Sequence, residues 1–183
     1  LNGQSLVEVG CGGGFYSQVA EERSCKDITL LDLSSTAVRA AKSRIDGDGI
    51  VADATYLPFR DECFDFVLCI DFIEHVHKDE KLMREVNRVL SDWGTLLIST
   101  QNSRSLNYLF EMPVQRYLFG KRWCGWDPTH IRFYTARSLY NLLEKYGLIP
   151  VLRAGTYFVP YQLANYFVRL DKSCLLYTSP SPR

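Results

Sequence analysis

A glycine-rich loop directly after an apolar run is the part of this sequence best suited to hold a ligand. Residues 6–9 are apolar except for Glu8, and residues 10–14 read Gly-Cys-Gly-Gly-Gly. Glycine reaches positive φ angles and has no Cβ, so such a loop lets the backbone approach a bound molecule closely. A helix that begins near Phe15 would direct its first N–H groups toward the same molecule. The pattern therefore predicts a binding loop between a strand and a helix.

Two further apolar runs also end in a carboxylate, Asp32 and Asp53. Asp32 comes about twenty residues after the glycines, the position at which a βαβ nucleotide fold places an acid that binds ribose hydroxyls. The alternative is that Asp32 caps a helix or a turn, although the serines that follow it could supply that cap. Because the glycines and the acids all fall where strands end, we expect them to meet at one edge of a sheet.

The spacing of the glycines also bears on the kind of nucleotide. A dinucleotide fingerprint, G-x-G-x-x-G, would require glycine at position 15, where the chain has Phe15. The acid at Glu8, before the loop, also speaks against a nicotinamide-dependent oxidoreductase, which is therefore the less favoured alternative. A second alternative is a domain that binds a nucleotide-like cofactor or a partner without catalysing a reaction, because turnover cannot be inferred from binding residues.

The apolar patterns alternate between strand and helix along the chain. Such alternation predicts parallel strands with helices on both faces of a doubly wound, mostly parallel α/β sheet. A sixth strand is expected at 148–152. The predicted strands are 5–9, 28–32, 49–52, 64–69 and 94–99, and the predicted helices are 15–23, 35–44, 79–90 and 136–146, with residues 91–94 breaking the third helix.

These motifs together resemble the class I S-adenosylmethionine-dependent methyltransferases, in particular the small-molecule type that methylates quinones and sterols. The resemblance covers roughly residues 5–150 and implies a Rossmann-like fold with S-adenosyl-L-methionine as the methyl donor. It also implies a last, antiparallel strand, for which residues 157–160 are the candidate. The motifs that carry it, in order, are 8–14, Asp32-Leu33, Asp53-Ala54 with 57–59, 64–67 leading to 74–76, 94–99, and 130–135 with 142–148.

The resemblance also implies roles for individual residues in cofactor binding. The loop residues would surround the methionine part of the cofactor, while Glu8 would hold the loop and help to bind the ammonium group. Asp32 would bind the ribose and Leu33 would cover the adenine, with Asp53 and Ala54 binding its edge. Backbone near Cys69 would close the site, and its thiol is expected to pack in the core. The full cofactor set is Glu8, Gly10, Cys11, Gly12, Gly14, Asp32, Leu33, Asp53, Ala54 and Cys69.

The methyl acceptor is expected to bind beside residues 104–126. This segment follows the fifth strand and combines aromatic residues with Arg104, Arg116, Lys121 and Arg122. A cationic, aromatic wall suits an anionic, aromatic or lipid-linked small molecule, and it equally suits peripheral contact with a membrane surface. The alternative is an amphipathic helix that only packs over the core.

Two histidines are candidate general bases, since a hydroxyl acceptor must lose its proton. His75 follows the fourth strand and His130 precedes the last predicted helix; His130 is the better placed on the sequence. For each, the alternative is an orienting hydrogen bond. No metal is expected, because the acids are assigned to the cofactor and no ligand cluster remains.

Composition narrows the functional classes further. The formal net charge is zero, with 21 basic and 21 acidic side chains, which argues against binding along a nucleic-acid backbone. The six cysteines show no C-x-x-C pair and are expected to be reduced thiols of a cytoplasmic protein. Oligomeric state does not follow from the sequence.

The two ends of the chain have different characters. Residues 1–173 are expected to form one methyltransferase domain, and the Ser- and Pro-containing residues 174–183 a non-native or disordered tail. Because the first predicted strand begins almost at once, we also expect that a helical segment preceding it in similar enzymes is missing.

Overall fold

The computed structural model describes residues 3–104 and 127–154, together with positions 113, 116, 117 and 120. Strands and helices alternate along the chain as the sequence predicts. The strands are β1 Ser5–Val9, β2 Asp27–Asp32, β3 Asp48–Val51, β4 Phe64–Ile70 and β5 Leu90–Ser99. The helices are α1 Phe15–Glu22, α2 Ser35–Lys42, a short 3₁₀ helix Ile73–His75, α3 Asp79–Val89 and α4 Ala136–Lys145. The predictions for 157–160, for the tail and for most of 104–126 lie outside the described residues.

The five strands in the described part of the chain run parallel in one sheet, in the order β3-β2-β1-β4-β5. The chain order therefore reverses at β1, which pairs with β2 on one side and with β4 on the other. In open sheets of this kind, ligands bind beyond the carboxyl ends of the strands at this reversal. The predicted doubly wound α/β fold is confirmed.

The core lies on both faces of the sheet, because successive side chains of a strand point to opposite faces. On one face, Val7, Val9 and Val67 belong to a cluster that includes the buried stripe of α3. On the other face, Leu6 and Leu30 pack with buried residues of α1 and α2. This two-sided burial holds the ends of β1 and β2 rigidly beneath the glycine loop.

Two predictions about individual strands are wrong. The strand β5 begins at Leu90, not at 94, because residues 91–94 form an irregularity within it. Phe64 of β4 pairs with Leu90, and Phe66, two residues later, pairs with Thr95, so the register shifts between them. Residues 148–152 form no strand, since the Leu148 N–H bonds back to Leu143 at the end of α4. The apolar side chains that follow are exposed instead, Val151 by 90%. Within the described residues, no helix combines the length and the apolar character needed to cross a bilayer.

Candidate cofactor and acceptor site

The glycine loop is fastened to the neighbouring strand through its backbone. The N–H groups of Gly10 and Cys11 both donate to the carbonyl of Leu31 in β2, at 2.8 and 3.0 Å. Gly10, Gly12 and Gly14 have positive φ angles of 75°, 49° and 74°. The loop therefore has a conformation that favours glycine at each of these positions.

The three positive-φ glycines differ in what surrounds them. A Cβ on Gly10 would lie 2.1 Å from the ring of Phe72, and one on Gly14 would lie 2.8 Å from the Cβ of Ala41. A Cβ on Gly12 would meet nothing within 4 Å. Gly10 and Gly14 thus permit close packing within the protein, whereas Gly12 borders open space that a ligand could occupy.

Glu8 lies beneath the loop and holds the start of α1. Its Oε2 accepts hydrogen bonds from the Ser17 N–H, at 3.1 Å, and from the Ser17 hydroxyl. The side chain is only 2% exposed, and this burial raises its pKa to about 7. Glu8 therefore joins β1 to α1 across the loop, and its predicted contact with the cofactor ammonium stays a prediction.

Asp32 lies at the carboxyl end of β2 and holds the loop from the other side. Its Oδ2 accepts from the Gly12 N–H at 3.0 Å, and its Oδ1 accepts from the Ser34 N–H at 2.8 Å. Ser34 itself caps α2 by accepting from the Ala37 N–H, so the cap does not depend on Asp32. An ionised carboxylate has about four acceptor positions, so Asp32 retains capacity for ribose hydroxyls.

An open cleft of about 380 Å³ lies beyond the ends of β2 and β3. Asp53 is exposed there and accepts from the Thr55 N–H at 2.8 Å, while Ala54 is buried. Leu33 is 74% exposed at the same place. The cleft brings together four of the predicted cofactor residues and one predicted base; it is lined by Leu31, Asp32, Leu33, Ala52, Asp53, Ala54, Thr55, Phe72, His75, Val76, His77 and Lys78.

The two cysteines among the predicted cofactor residues are both buried. Burial raises the pKa of the Cys11 thiol to about 12, and it also raises the pKa of the Cys69 thiol. The Cys69 side chain is fully enclosed in the core beside β5, where it pairs in register with Ile98. Neither thiol is therefore a nucleophile at neutral pH, and only the backbone at these positions can serve a cofactor.

The two candidate bases lie side by side. His75 ends the 3₁₀ helix after β4, and its ring centroid is 4.8 Å from that of His130. The His75 Nδ1 is 2.9 Å from the hydroxyl of Thr129. His75 lines the cleft, whereas His130 is not among the described residues that do so.

Glu74 adds a buried carboxylate to this pair. It is fully buried, and neither of its oxygens has a hydrogen-bond partner of normal geometry within the described part of the chain. Burial also raises the pKa of Glu74. Potential ligand atoms of Glu74, His75 and His130 lie within 4.8 Å of one another. The expectation that no ligand cluster remains is therefore wrong, because the fold brings together residues far apart in the sequence; such a group suits an ion or proton transfer equally.

Sequence reasoning missed three residues that shape this site. Phe72 covers Gly10. Thr129 contacts His75, and Asp127 accepts a hydrogen bond from Thr129. The signal for the last two was present, because Asp-Pro-Thr-His at 127–130 is a typical turn sequence. Their position beside His75 depends on long-range packing that a local pattern does not encode.

Residues 7–98, which run from within β1 almost to the end of β5 and include the glycine loop, Asp32 and Asp53, match a family described as a methyltransferase domain. This match extends over half of the chain. The chain belongs to this methyltransferase family. Membership implies S-adenosylmethionine as the methyl donor and decides against the nicotinamide-dependent alternative.

Individual relatives carry different activities in their names. The chain is 25% identical over 170 residues to a ubiquinone biosynthesis O-methyltransferase of Idiomarina loihiensis, covering 87% of this methyltransferase and 68% of that protein. It is 35% identical over 114 residues to norajmaline N-methyltransferase of Rauvolfia serpentina, covering 57% of this chain and 38% of that protein. The crystal structure of the [4+2]-cyclase SpnF superposes with a TM-score of 0.62 at 27% identity, covering 79% of this chain and 52% of that one. Since the methyltransferase spans about two thirds or less of these proteins, their substrates do not transfer to it directly.

Proposed function

We propose that this chain transfers the methyl group of S-adenosylmethionine to a small-molecule or lipid-linked acceptor, at an oxygen atom. The observation that carries the proposal is the cleft, which joins Asp32, Asp53 and His75 at the carboxyl edge of the sheet. The cofactor supplies a methyl group already activated on a sulfonium. What the protein must add is chiefly alignment of the acceptor, and removal of a proton where the acceptor is a hydroxyl.

The residues of the cleft fit the cofactor by their chemistry. Asp32 offers acceptor capacity for two ribose hydroxyls beside the open face of Gly12. Exposed Leu33 offers an apolar surface for the adenine, and Asp53 offers an acceptor for its amino group. Glu8 is too deeply buried to reach solvent, so we assign it the task of fixing the loop and α1, with any contact to the ammonium passing through the loop.

The acceptor class is proposed from residues 104–126. Among the described positions of this segment, Arg104, Arg116 and Tyr117 are exposed. Guanidinium groups bind phosphate or carboxylate in a bidentate manner, and an aromatic neighbour can cover an apolar body. We therefore favour an anionic acceptor with an apolar part, either free or presented at a membrane surface.

Oxygen is favoured as the acceptor atom because His75 lines the cleft and His130 lies beside it. A hydroxyl acceptor needs a base, whereas an amine can react through its own lone pair. The relative named for ubiquinone biosynthesis is an O-methyltransferase, whereas the relative named for norajmaline is an N-methyltransferase. The similarity to SpnF favours a second candidate, a domain that binds the cofactor but catalyses another reaction or none, because that protein is named a cyclase.

The test is a methyl-transfer screen with labelled S-adenosylmethionine against phenols, quinone precursors, sugars, fatty acids and glycolipids in vesicles. We expect transfer to an anionic phenol or lipid-linked hydroxyl, and a loss of roughly two to four orders of magnitude when the catalysing histidine, His75 or His130, is replaced by Ala. Charge reversal at Arg116 and Arg122 should raise the KM for the acceptor without changing the affinity for the cofactor. Binding of S-adenosylhomocysteine with no transfer to any acceptor would favour the second candidate instead.

A further inference from the structure

A tight turn carries the segment after residue 126 across the 3₁₀ helix. Pro128 fits the second position of a β-turn, and the turn is closed by a 3.2 Å hydrogen bond from the His130 N–H to the Asp127 carbonyl. The Thr129 N–H donates to Oδ1 of Asp127 at 2.8 Å, which stiffens the turn further. The Ile131 N–H then donates to the Glu74 carbonyl at 3.0 Å. The turn is thus fixed against the residue that precedes His75.

The hydrogen bonds of this turn decide which nitrogen of His75 carries a proton. The Thr129 hydroxyl donates to Oδ1 of Asp127 at 2.6 Å, and its oxygen is 2.9 Å from Nδ1 of His75. The hydrogen bonds from Thr129 hold the pKa of Asp127 below its usual range, so this carboxylate only accepts. A hydroxyl has one proton, and Asp127 takes it. The Thr129 oxygen is therefore left to accept from Nδ1–H of His75, and in the neutral imidazole this leaves Nε2 with its lone pair.

We propose that Asp127 and Thr129 are positioning residues that keep the proton of His75 on Nδ1, so that Nε2 is the base for a hydroxyl acceptor. This inference rests on the proposed function and identifies the base within that site. As the acceptor oxygen bonds to the methyl carbon, the carbon–sulfur bond breaks and its electron pair stays on sulfur. The hydroxyl proton moves to Nε2 of His75, which becomes an imidazolium and later releases the proton to water.

His75 fits this task better than His130 for two reasons. His75 lines the cleft together with Asp32 and Asp53, and its Nδ1 contacts the Thr129 hydroxyl, which is itself bonded to Asp127. The neighbouring ring of His130, at 4.8 Å, packs against it and limits its rotation. Orientation of this kind is what a base needs to meet a proton in the transition state.

Nitrogen-15 NMR of the histidine rings tests the proton position without any activity measurement. The chain has three histidines, and loss of one signal set in His75→Gln identifies the ring of interest. At about pH 8.5, where an ordinary imidazole is neutral, the shifts should show Nδ1–H and a bare Nε2. Thr129→Val should shift the population toward Nε2–H, whereas Thr129→Ser should preserve the native tautomer. Thr95→Val, an exposed position on β5, is the matched control and should change nothing. A His75 ring protonated on Nε2 in the unsubstituted chain would overturn the inference.

Kinetics with a hydroxyl acceptor test the consequence of this tautomer. Thr129→Val should lower kcat by roughly 10- to 100-fold while the acceptor KM and the affinity for S-adenosylhomocysteine stay unchanged, and Thr129→Ser should restore most of the rate. Unchanged kcat in Thr129→Val would overturn the inference, as would abolition of the native activity by EDTA, since a bound ion would then replace the base. If the unsubstituted chain methylates no hydroxyl, the proposed function fails and the base role with it, while the NMR result still decides the proton position.

Discussion

The Gly12 N–H donates a 3.0 Å hydrogen bond to Oδ2 of Asp32, and this bond joins the glycine loop after β1 to the acid that ends β2. The two features that the sequence offers as separate cofactor signals are therefore one structural unit. Because the Ser34 N–H donates to the other oxygen of the same carboxylate, Asp32 also orients the start of α2. A ligand that binds Asp32 consequently acts on the loop and on a helix terminus at once.

Replacing Asp32 with Ala should weaken the binding of S-adenosylhomocysteine by about 1.5–3 kcal/mol, or roughly 10- to 150-fold in Kd, because hydrogen bonds to a charged group are lost. Loss of the bonds from Gly12 and Ser34 should also lower the free energy of unfolding by about 1–2 kcal/mol. Calorimetric titration and urea unfolding measure the two effects. Asp27→Ala, at the opposite and exposed end of β2, is the control and should leave affinity unchanged. An unchanged Kd in folded Asp32→Ala would remove this carboxylate from the site.

Alanine at Gly10 and alanine at Gly12 should have different consequences. At Gly10 the new Cβ would collide with the Phe72 ring in a positive-φ backbone, so we expect a loss of about 3 kcal/mol in unfolding free energy. At Gly12 only the backbone strain applies, about 1 kcal/mol, but the methyl group would enter the space proposed for the cofactor. Urea unfolding with and without S-adenosylhomocysteine separates the two. Adding Phe72→Ala should recover part of the stability of Gly10→Ala; no recovery would mean that the collision is not the cause.

The stability of the protein should depend on the ionisation of Glu8. Its pKa is about 7 in the folded chain, because of burial, and about 4.5 as an ordinary carboxyl. At a pH between these two pKa values, the folded state therefore keeps a proton on Glu8 that the unfolded state has lost. The free energy of unfolding should consequently fall by about 3 kcal/mol as pH rises from about 4.5 to about 7.

Glu8→Gln cannot ionise and should lack this fall, so its stability relative to the native chain should increase across the same pH range. Glu22→Gln, at an exposed carboxylate of α1, is the control and should follow the native profile. Parallel profiles for the native chain and Glu8→Gln, measured by urea unfolding at each pH, would contradict the assignment.

The sheet and the cofactor edge could be predicted from sequence because their signals are local. Each strand is a short apolar run, and each acid or glycine of interest stands where such a run ends, so the alternation alone places Asp32 and Asp53 at one edge. A cap from one of the serines after Asp32 is predictable for the same reason, because a cap depends on the next three residues; Ser34 supplies it.

The acceptor side could not be predicted in the same way, because its contacts join distant parts of the chain. The Thr129–His75 contact spans 54 residues. It forms only because the turn at 127–130 is fixed to the 3₁₀ helix. Residues 148–152 are the opposite case, a strand that is predicted but does not form. Their apolar composition suits a strand, but a strand also needs a neighbouring strand for its hydrogen bonds, and composition does not show whether one is present.

The central claim, that this methyltransferase binds S-adenosylmethionine through Asp32 and the glycine loop, is tested most directly by calorimetric titration with S-adenosylhomocysteine and, separately, with NAD. We expect S-adenosylhomocysteine to bind with one site per chain and NAD to give no heat of binding. Tight NAD binding with no response to S-adenosylhomocysteine would contradict the account.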